Sequence, residues 1–442
     1  MTRRANAARL PGAACDRTLR AMLRPISLLI ALLLSIAASP PADENARRLA
    51  VFDRVWSEVG EHYYDPQMNG VDWNAARARH RPAAAAAGDD RALHSVLRAL
   101  LGELRDAHTR VLSPEQARDR RRERTTGTGI VLFEVEGRPV VFAVRPGSPA
   151  AAAGLRPGMR VVAVNGVAAA EALARARAEV GPSSSERAGL VLAWLRVIAG
   201  PPEEPLRLDL ADADGGNRRS VALARVALDA APQFEARLLP SGMLYVRFDR
   251  FRAPVGRLFR AALREHPGAR GLILDLRSNT GGDAREGARV VAPLLAAPTL
   301  IARLATRTGR APSALLGLVR LPLRLEAGEA GGQLFAGPVM ILVNQGTAST
   351  SEVIAASLQE RGRARIAGTR SCGCALGVLR YRRLATGGAL AISEIGLVSG
   401  LGRRIEGDGV VPDLPVELRL ADLAEGRDPA LEAAVEALER SR

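Results

Sequence analysis

Apolar positions follow three successive patterns along the chain. From Glu44 to about Gln116, Leu49, Phe52, Val55 and Val59 recur at three- and four-residue spacing. Leu93, Val96, Leu97, Leu100 and Leu104 do the same, so this stretch predicts amphipathic helices. Tyr63-Tyr64-Asp65-Pro66 and Asn69-Gly70-Val71-Asp72-Trp73 read as the turns between them. After Arg118–Arg124 the period falls to two. Short β runs at 129–134 and 139–144 flank a turn at Glu136-Gly137, and 161–164 leads into the tight-turn pair Asn165-Gly166. A helix over about 169–178, an insertion, and strands at 206–210 and 220–226 follow. From Met243 strands and helices alternate: strands at 244–248, 272–276 and 339–343, helices over 255–264, 284–295 and 352–361, with a looser Leu- and Arg-rich segment before the third strand. This is the rhythm of a sheet with crossover helices. A helix over about 429–439 closes the chain.

At 442 residues several domains are expected, and 47% hydrophobic with 25% charged residues is a globular composition. Before these elements, Arg17, Arg20 and Arg24 precede the apolar run 26–38 and then Ser39-Pro40-Pro41, the pattern of a secretion signal or, uncleaved, of an amino-terminal anchor. The chain is therefore expected in the periplasm or outside the cell, with membrane attachment only through such an anchor. Cleavage there leaves two cysteines, Cys372 and Cys374, which can serve as small packing residues, a disulfide or a reactive site; packing or a disulfide is the favoured reading.

The net charge of +15 raises the question of nucleic acid. Its arginines are spread along the chain, and the one dense cluster (Arg118, Arg120, Arg121, Arg122, Arg124) accompanies no reading motif, so it is read as a solvated linker and nucleic-acid binding is not expected. All 62 basic residues are arginine, which excludes any lysine-based mechanism. No His/Cys spacing suits a metal, and no cofactor is expected.

Three segments carry chemistry. Thr126-Gly127-Thr128-Gly129-Ile130, with Gly147-Ser148-Pro149-Ala150 and Ala153-Gly154-Leu155, resembles a PDZ domain of bacterial proteases. The resemblance implies that Gly127, Thr128, Gly129 and Ile130 receive a peptide's terminal carboxylate beside an open sheet edge. Asp275-Leu276-Arg277-Ser278-Asn279-Thr280-Gly281-Gly282 ends one buried strand, and Val343-Asn344-Gln345-Gly346-Thr347-Ala348-Ser349-Thr350-Ser351-Glu352 joins another to a helix. On its own, Ser349-Thr350-Ser351-Glu352 is a helix capping box. Together these segments resemble the serine peptidases of the C-terminal processing protease and tricorn-core family.

That resemblance makes Ser349 the nucleophile, with the N–H groups of Gly281 and Thr350 as its oxyanion hole. The lysine position of the processing proteases is occupied here by Cys374 in Gly368-Thr369-Arg370-Ser371-Cys372-Gly373-Cys374. The tricorn-like branch instead uses a histidine and a glutamate, which match His108 in Asp106-Ala107-His108-Thr109 and Glu406 in Ile405-Glu406-Gly407-Asp408-Gly409. Tricorn carries a serine immediately before its histidine, where this chain has Ala107. The implied architecture is a multidomain α/β protein: signal or anchor 1–38, helical domain 43–117, PDZ-like domain 124–227, crotonase-like catalytic core 230–424 and carboxy-terminal helix 427–442. The implied activity is cleavage of unfolded or tagged polypeptides, recruited by their C-termini, through an acyl-enzyme on Ser349. The rival is a non-catalytic binder of peptides or apolar ligands on the same scaffold.

Overall fold

The computed structural model describes residues 44–122, 124–229, 231–311, 313–314, 319–320, 322–328 and 333–440, so the secretion signal or anchor lies outside the described residues. Among them, no helix is long and apolar enough to cross a membrane. Residues from Arg48 onward form one compact unit.

The amino-terminal helices Glu44–His62, Trp73–Ala85 and Asp90–Gly102 bury Phe52, Val55, Val59, Leu93, Leu97 and Leu100 in one cluster. Asp72 and Asp89 start the second and third by accepting the Ala75 and Ala92 N–H groups at 2.9 and 2.7 Å. The chain then enters strand Arg110–Leu112, which pairs antiparallel with Ala389–Ala391 and so stitches the segment carrying His108 to the last third of the chain. The arginine cluster is not a bare linker. Most of it lies on helix Pro114–Arg121, where Arg120 stacks 3.5 Å over the Tyr381 ring. Arg124–Gly127 forms a ribbon with Val226–Asp229.

That ribbon is the neck of a β lobe whose strands run in the order Ile130–Val135, Arg138–Val144, Arg160–Val164, Leu206–Ala211 and Arg219–Leu223. Ile130–Val135 lies at one edge of this sheet. The insertion read without structure after 178 contains a full helix, Glu186–Ile198, capped by Ser185 and packed beside this edge strand.

The core sheet has the order Phe234–Leu238, Met243–Phe248, Gly271–Asp275, Val339–Val343, Arg365–Gly368 and Leu414–Pro415, parallel apart from the first pair. Alternation along each strand serves two clusters. Leu272, Leu274, Val339 and Ile341 face helices Val255–Glu265, Ala284–Val291 and Thr350–Glu360, whereas Ile273, Met340 and Leu342 face helix Pro429–Arg440. The loose segment carries strands Thr299–Ala305 and Arg324–Ala327, which join Ile395–Ser399 and Leu376–Gly377 in a second, antiparallel sheet.

Candidate active site

The buried strand Val339–Val343 leaves the sheet through a turn and enters helix Thr350–Glu360 with Ser349 at the junction. Ser349 has φ 56° and ψ −124°. A residue that merely caps a helix adopts extended backbone. A non-glycine residue held at positive φ stores strain that the surroundings must enforce. Here they do. The Ser349 N–H donates to the Cys374 carbonyl at 2.9 Å and to the Glu352 carboxylate at 3.0 Å.

Glu352 is the buried hub of the site. Besides Ser349, its carboxylate accepts the Gly373 N–H at 2.6 Å, the Cys374 N–H at 2.9 Å and the Ser371 hydroxyl at 2.6 Å. Burial pushes its proton affinity up, and these four donors pull against that. The sequence showed Glu352 only as the far end of a capping box; its role as anchor for the 371–374 loop depends on contacts about twenty residues away. Cys372 and Cys374 are joined in a disulfide within that loop and are buried, so of the readings left open the disulfide is the one formed.

The Gly-Gly turn faces the serine as expected. A Cβ on Gly281 would stand 2.7 Å from the Ser349 Cβ and 2.9 Å from the Thr350 nitrogen, so the two backbones touch. Thr350 opens the helix, and its N–H has no partner within the helix. The Gly281 N–H departs from the expectation of a free oxyanion donor: it donates to the Asn279 side-chain oxygen at 3.0 Å. The same oxygen accepts the Ser351 hydroxyl at 2.9 Å, and the Asn279 amide donates to the Phe248 carbonyl at 2.8 Å, so Asn279 is folded back and fixed.

His108 reaches this neighbourhood from the helical lobe. Its own N–H donates to Asp106 at 2.7 Å, and the Thr109 hydroxyl donates to the other Asp106 oxygen. Thr109 in turn accepts the Ser393 N–H at 3.0 Å, tying the loop to the core. Ala107 and Ala348, the residues preceding His108 and Ser349, belong to one apolar cluster with Cys372 and Cys374. Burial lowers the His108 pKa below its ordinary value; Asp106 opposes this and Arg110 adds to it.

Glu406 does not orient the imidazole as the sequence reading expected. His108 Nδ1 is buried without a hydrogen-bond partner. The Glu406 carboxylate instead accepts the Ala375 N–H at 2.6 Å. Its pKa is pushed up to about 8, first by burial and then by Asp106 and Glu352, against the pull of the Ser184 hydroxyl and the Ala375 N–H.

At the expected peptide loop, Gly127 pairs with Val226 in the neck ribbon, and Ile130 opens the edge strand. The Thr128 and Gly129 carbonyls accept the Ala150 and Arg145 N–H groups at 3.1 and 2.8 Å. Gly129 has φ 84°, and a Cβ there would lie 2.2 Å from that of Ser148, so no other residue fits. Among the described residues no cluster of metal-ligating side chains occurs.

Comparison with known proteins places these features in a family. Residues 242–416 match peptidase family S41, residues 45–102 the tricorn protease C1 domain, and residues 140–177 a PDZ domain. A carboxyl-terminal-processing protease of Synechocystis is 27% identical over 94% of this chain and 91% of its own length. Tricorn protease homolog 1 of Streptomyces coelicolor is 24% identical over 87% of this chain and 34% of its own. The solved photosystem II D1 C-terminal processing protease superposes with a TM-score of 0.57 at 25% identity, covering 88% of this chain and 97% of that one. The strained serine at a strand-to-helix junction, the glycine turn against it and these matches lead to one conclusion: residues 242–416 are a peptidase family S41 domain, in a chain similar over most of its length to carboxyl-terminal-processing proteases.

Proposed function

We propose that the protein is an exported serine endopeptidase of the lysine-free, tricorn-like branch, which cleaves unfolded or tagged polypeptides through an acyl-enzyme on Ser349. The observation that carries this reading is the Ser349 backbone, held at φ 56° by Glu352 and Cys374 with Gly281 packed against it. A plain helix cap needs none of this. Ser349 Oγ attacks the scissile carbonyl and passes its proton to His108, which burial keeps as the neutral imidazole near neutral pH. The oxyanion forms against the Thr350 N–H and the positive end of helix Thr350–Glu360. The imidazolium then protonates the leaving amine, and water releases the acyl group by the reverse proton path. Cys374 is no substitute nucleophile, since its sulfur is bonded to Cys372.

Substrate recruitment follows from the β lobe. A polypeptide C-terminus adds as a strand to the edge strand Ile130–Val135, with Gly127–Ile130 at its carboxylate end. The likeness to carboxyl-terminal-processing proteases supports a preference for C-termini. Export rests on the basic and apolar pattern before Ser39. The domain limits follow the same division: helical 43–117, PDZ-like 124–227, catalytic 230–424 and a closing helix 427–442.

The test is labelling by a fluorophosphonate probe. Wild type is expected to label, and Ser349→Ala and His108→Ala are expected to lose the label with circular dichroism unchanged. Loss only in Ser349→Ala keeps the peptidase and removes His108 as its base. A folded wild type that takes no label favours the non-catalytic binder.

A further inference from the structure

The loop Ser371-Cys372-Gly373-Cys374 is held against the turn that carries Ser349. The Cys374 carbonyl accepts the Ser349 N–H at 2.9 Å, and the Cys372 N–H donates to the Thr347 carbonyl at 3.0 Å. The Gly373 and Cys374 N–H groups share the Glu352 carboxylate with the Ser349 N–H. Within the loop Gly373 stands at φ 75°, and its carbonyl accepts the Gly407 N–H at 2.9 Å. The Cys372–Cys374 disulfide spans this glycine. Both cysteines are buried in an apolar cluster with Ala107 and Ala188, and Ala348 packs against it. Ala107 precedes His108 and Ala348 precedes Ser349, so the bridge lies beside both loops of the candidate site.

We propose that the Cys372–Cys374 disulfide is a positioning element of the peptidase reaction, which holds the Cys374 carbonyl where it fixes the Ser349 backbone, and that its reduction by a dithiol slows attack by Ser349. The proposal rests on the reading of Ser349 as nucleophile given above. Cleavage after the apolar run 26–38 removes Cys15, the one other cysteine of the chain, so neither sulfur then has a competing partner.

In the reduction, a thiolate of the dithiol attacks one bridge sulfur and expels the other as a thiolate, which takes up a proton. The second sulfur of the dithiol then displaces the mixed disulfide. The dithiol loses two electrons in closing to its own disulfide, and the chain gains two cysteine thiols. Two thiols need more room than one bonded pair, and a packed apolar cluster yields that room only by moving its neighbours. Cys372 keeps two anchors outside the nucleophile, the Thr347 carbonyl on its N–H and the Ser185 hydroxyl on its carbonyl. The backbone anchors of Cys374 are Glu352 and Ser349 themselves, so a shift of Cys374 passes directly to the serine.

The experiment measures the rate of fluorophosphonate labelling of the full chain in its oxidised form and after dithiothreitol. The thiols are counted by mass after iodoacetamide alkylation. As two thiols appear, the rate is expected to fall about tenfold, the scale of one hydrogen bond. Reoxidation is expected to restore it. The double variant Cys372→Ala with Cys374→Ala is expected to label at the slow rate with or without dithiothreitol, melting above the assay temperature. Cys372→Ser opens the bridge by one atom and repeats the measurement should the double variant fail to fold. Full-rate labelling of a wild type that carries two free thiols overturns the proposal. So does a bridge that no dithiothreitol concentration opens in the folded chain, or a bridge-free variant as fast as the oxidised wild type. A rate that reoxidation fails to restore also overturns it. In each of these cases labelling of the oxidised wild type leaves Ser349 as nucleophile. An oxidised wild type that takes no label removes the reaction and the proposal together.

Discussion

Glu352→Ala is expected to abolish labelling of Ser349 and to lower the melting temperature by roughly 10 °C. The carboxylate meets four donors in the buried interior: the N–H groups of Ser349, Gly373 and Cys374 and the Ser371 hydroxyl. Alanine leaves all four without their acceptor. Each buried donor so orphaned costs about 1–3 kcal/mol, though Ser349 keeps the Cys374 carbonyl and entering water recovers a part. A net loss of roughly 3–6 kcal/mol follows. The activity loss is separate from the stability loss. Without Glu352 the 371–374 loop and the Ser349 backbone lose their shared buried acceptor, and the remaining Ser349–Cys374 backbone bond alone is not expected to hold Ser349 at its positive φ. Glu352→Gln distinguishes the two. Two donors address each carboxylate oxygen, so either orientation of the glutamine amide sets its NH2 against two donors. Glutamine is therefore expected to behave nearer to alanine than to wild type. Differential scanning calorimetry and probe labelling on the two variants check this; a glutamine variant with wild-type stability would show that the carboxylate oxygens do not bear these bonds.

Much of this fold is legible in short-range pattern. The strand Val339–Val343 matches its predicted bounds residue for residue, because five apolar residues between turn signals leave no other reading. Ser349, the Gly-Gly turn and the edge strand at Ile130 likewise rest on local signals. Helix Glu186–Ile198 escaped because Leu190 to Leu195 is a continuous apolar run with no helical period, needed by a helix that packs on both the edge strand and the catalytic loops. Strands Thr299–Ala305 and Arg324–Ala327 escaped because they pair with each other across a long intervening segment, and the first joins the sheet only through the distant Ile395–Ser399. The candidate site divides in the same way. The proposed nucleophile is written in one loop, whereas what surrounds it is assembled from residues up to three hundred positions apart. Ser184 and Arg187 carry no motif, and only the folded chain brings them to Ala107 and Ser371. Resemblance named Glu406 as the group that orients the base, and it could not show that its carboxylate accepts the Ala375 N–H.

The second large effect is expected from a single methyl group. Gly281→Ala is expected to cut the labelling rate of Ser349 about a hundredfold, the loss associated with displacing reacting groups by about 1 Å. The added Cβ lies 2.7 Å from the Ala348 carbonyl oxygen, 2.7 Å from the Ser349 Cβ and 2.9 Å from the Thr350 nitrogen. None of these is the end of a flexible side chain, so no rotamer change relieves the contact. The backbone offers no escape either. Gly281 has φ 84°, which disfavours alanine, and its carbonyl accepts the Phe251 N–H at 2.8 Å, which pins the turn on its far side. The strain must therefore be relieved by moving Ser349 and the Thr350 N–H, the two groups on which attack and oxyanion binding depend. Gly137→Ala is the matched control, since Gly137 also has positive φ (70°) and a Cβ there meets nothing within 4 Å. Comparison of the two by labelling rate and thermal melting isolates the steric term. Slow labelling in Gly281→Ala alone, with melting lowered only a few degrees, shows that the turn sets the nucleophile's position; equal labelling in both variants would show that Ser349 is placed without it.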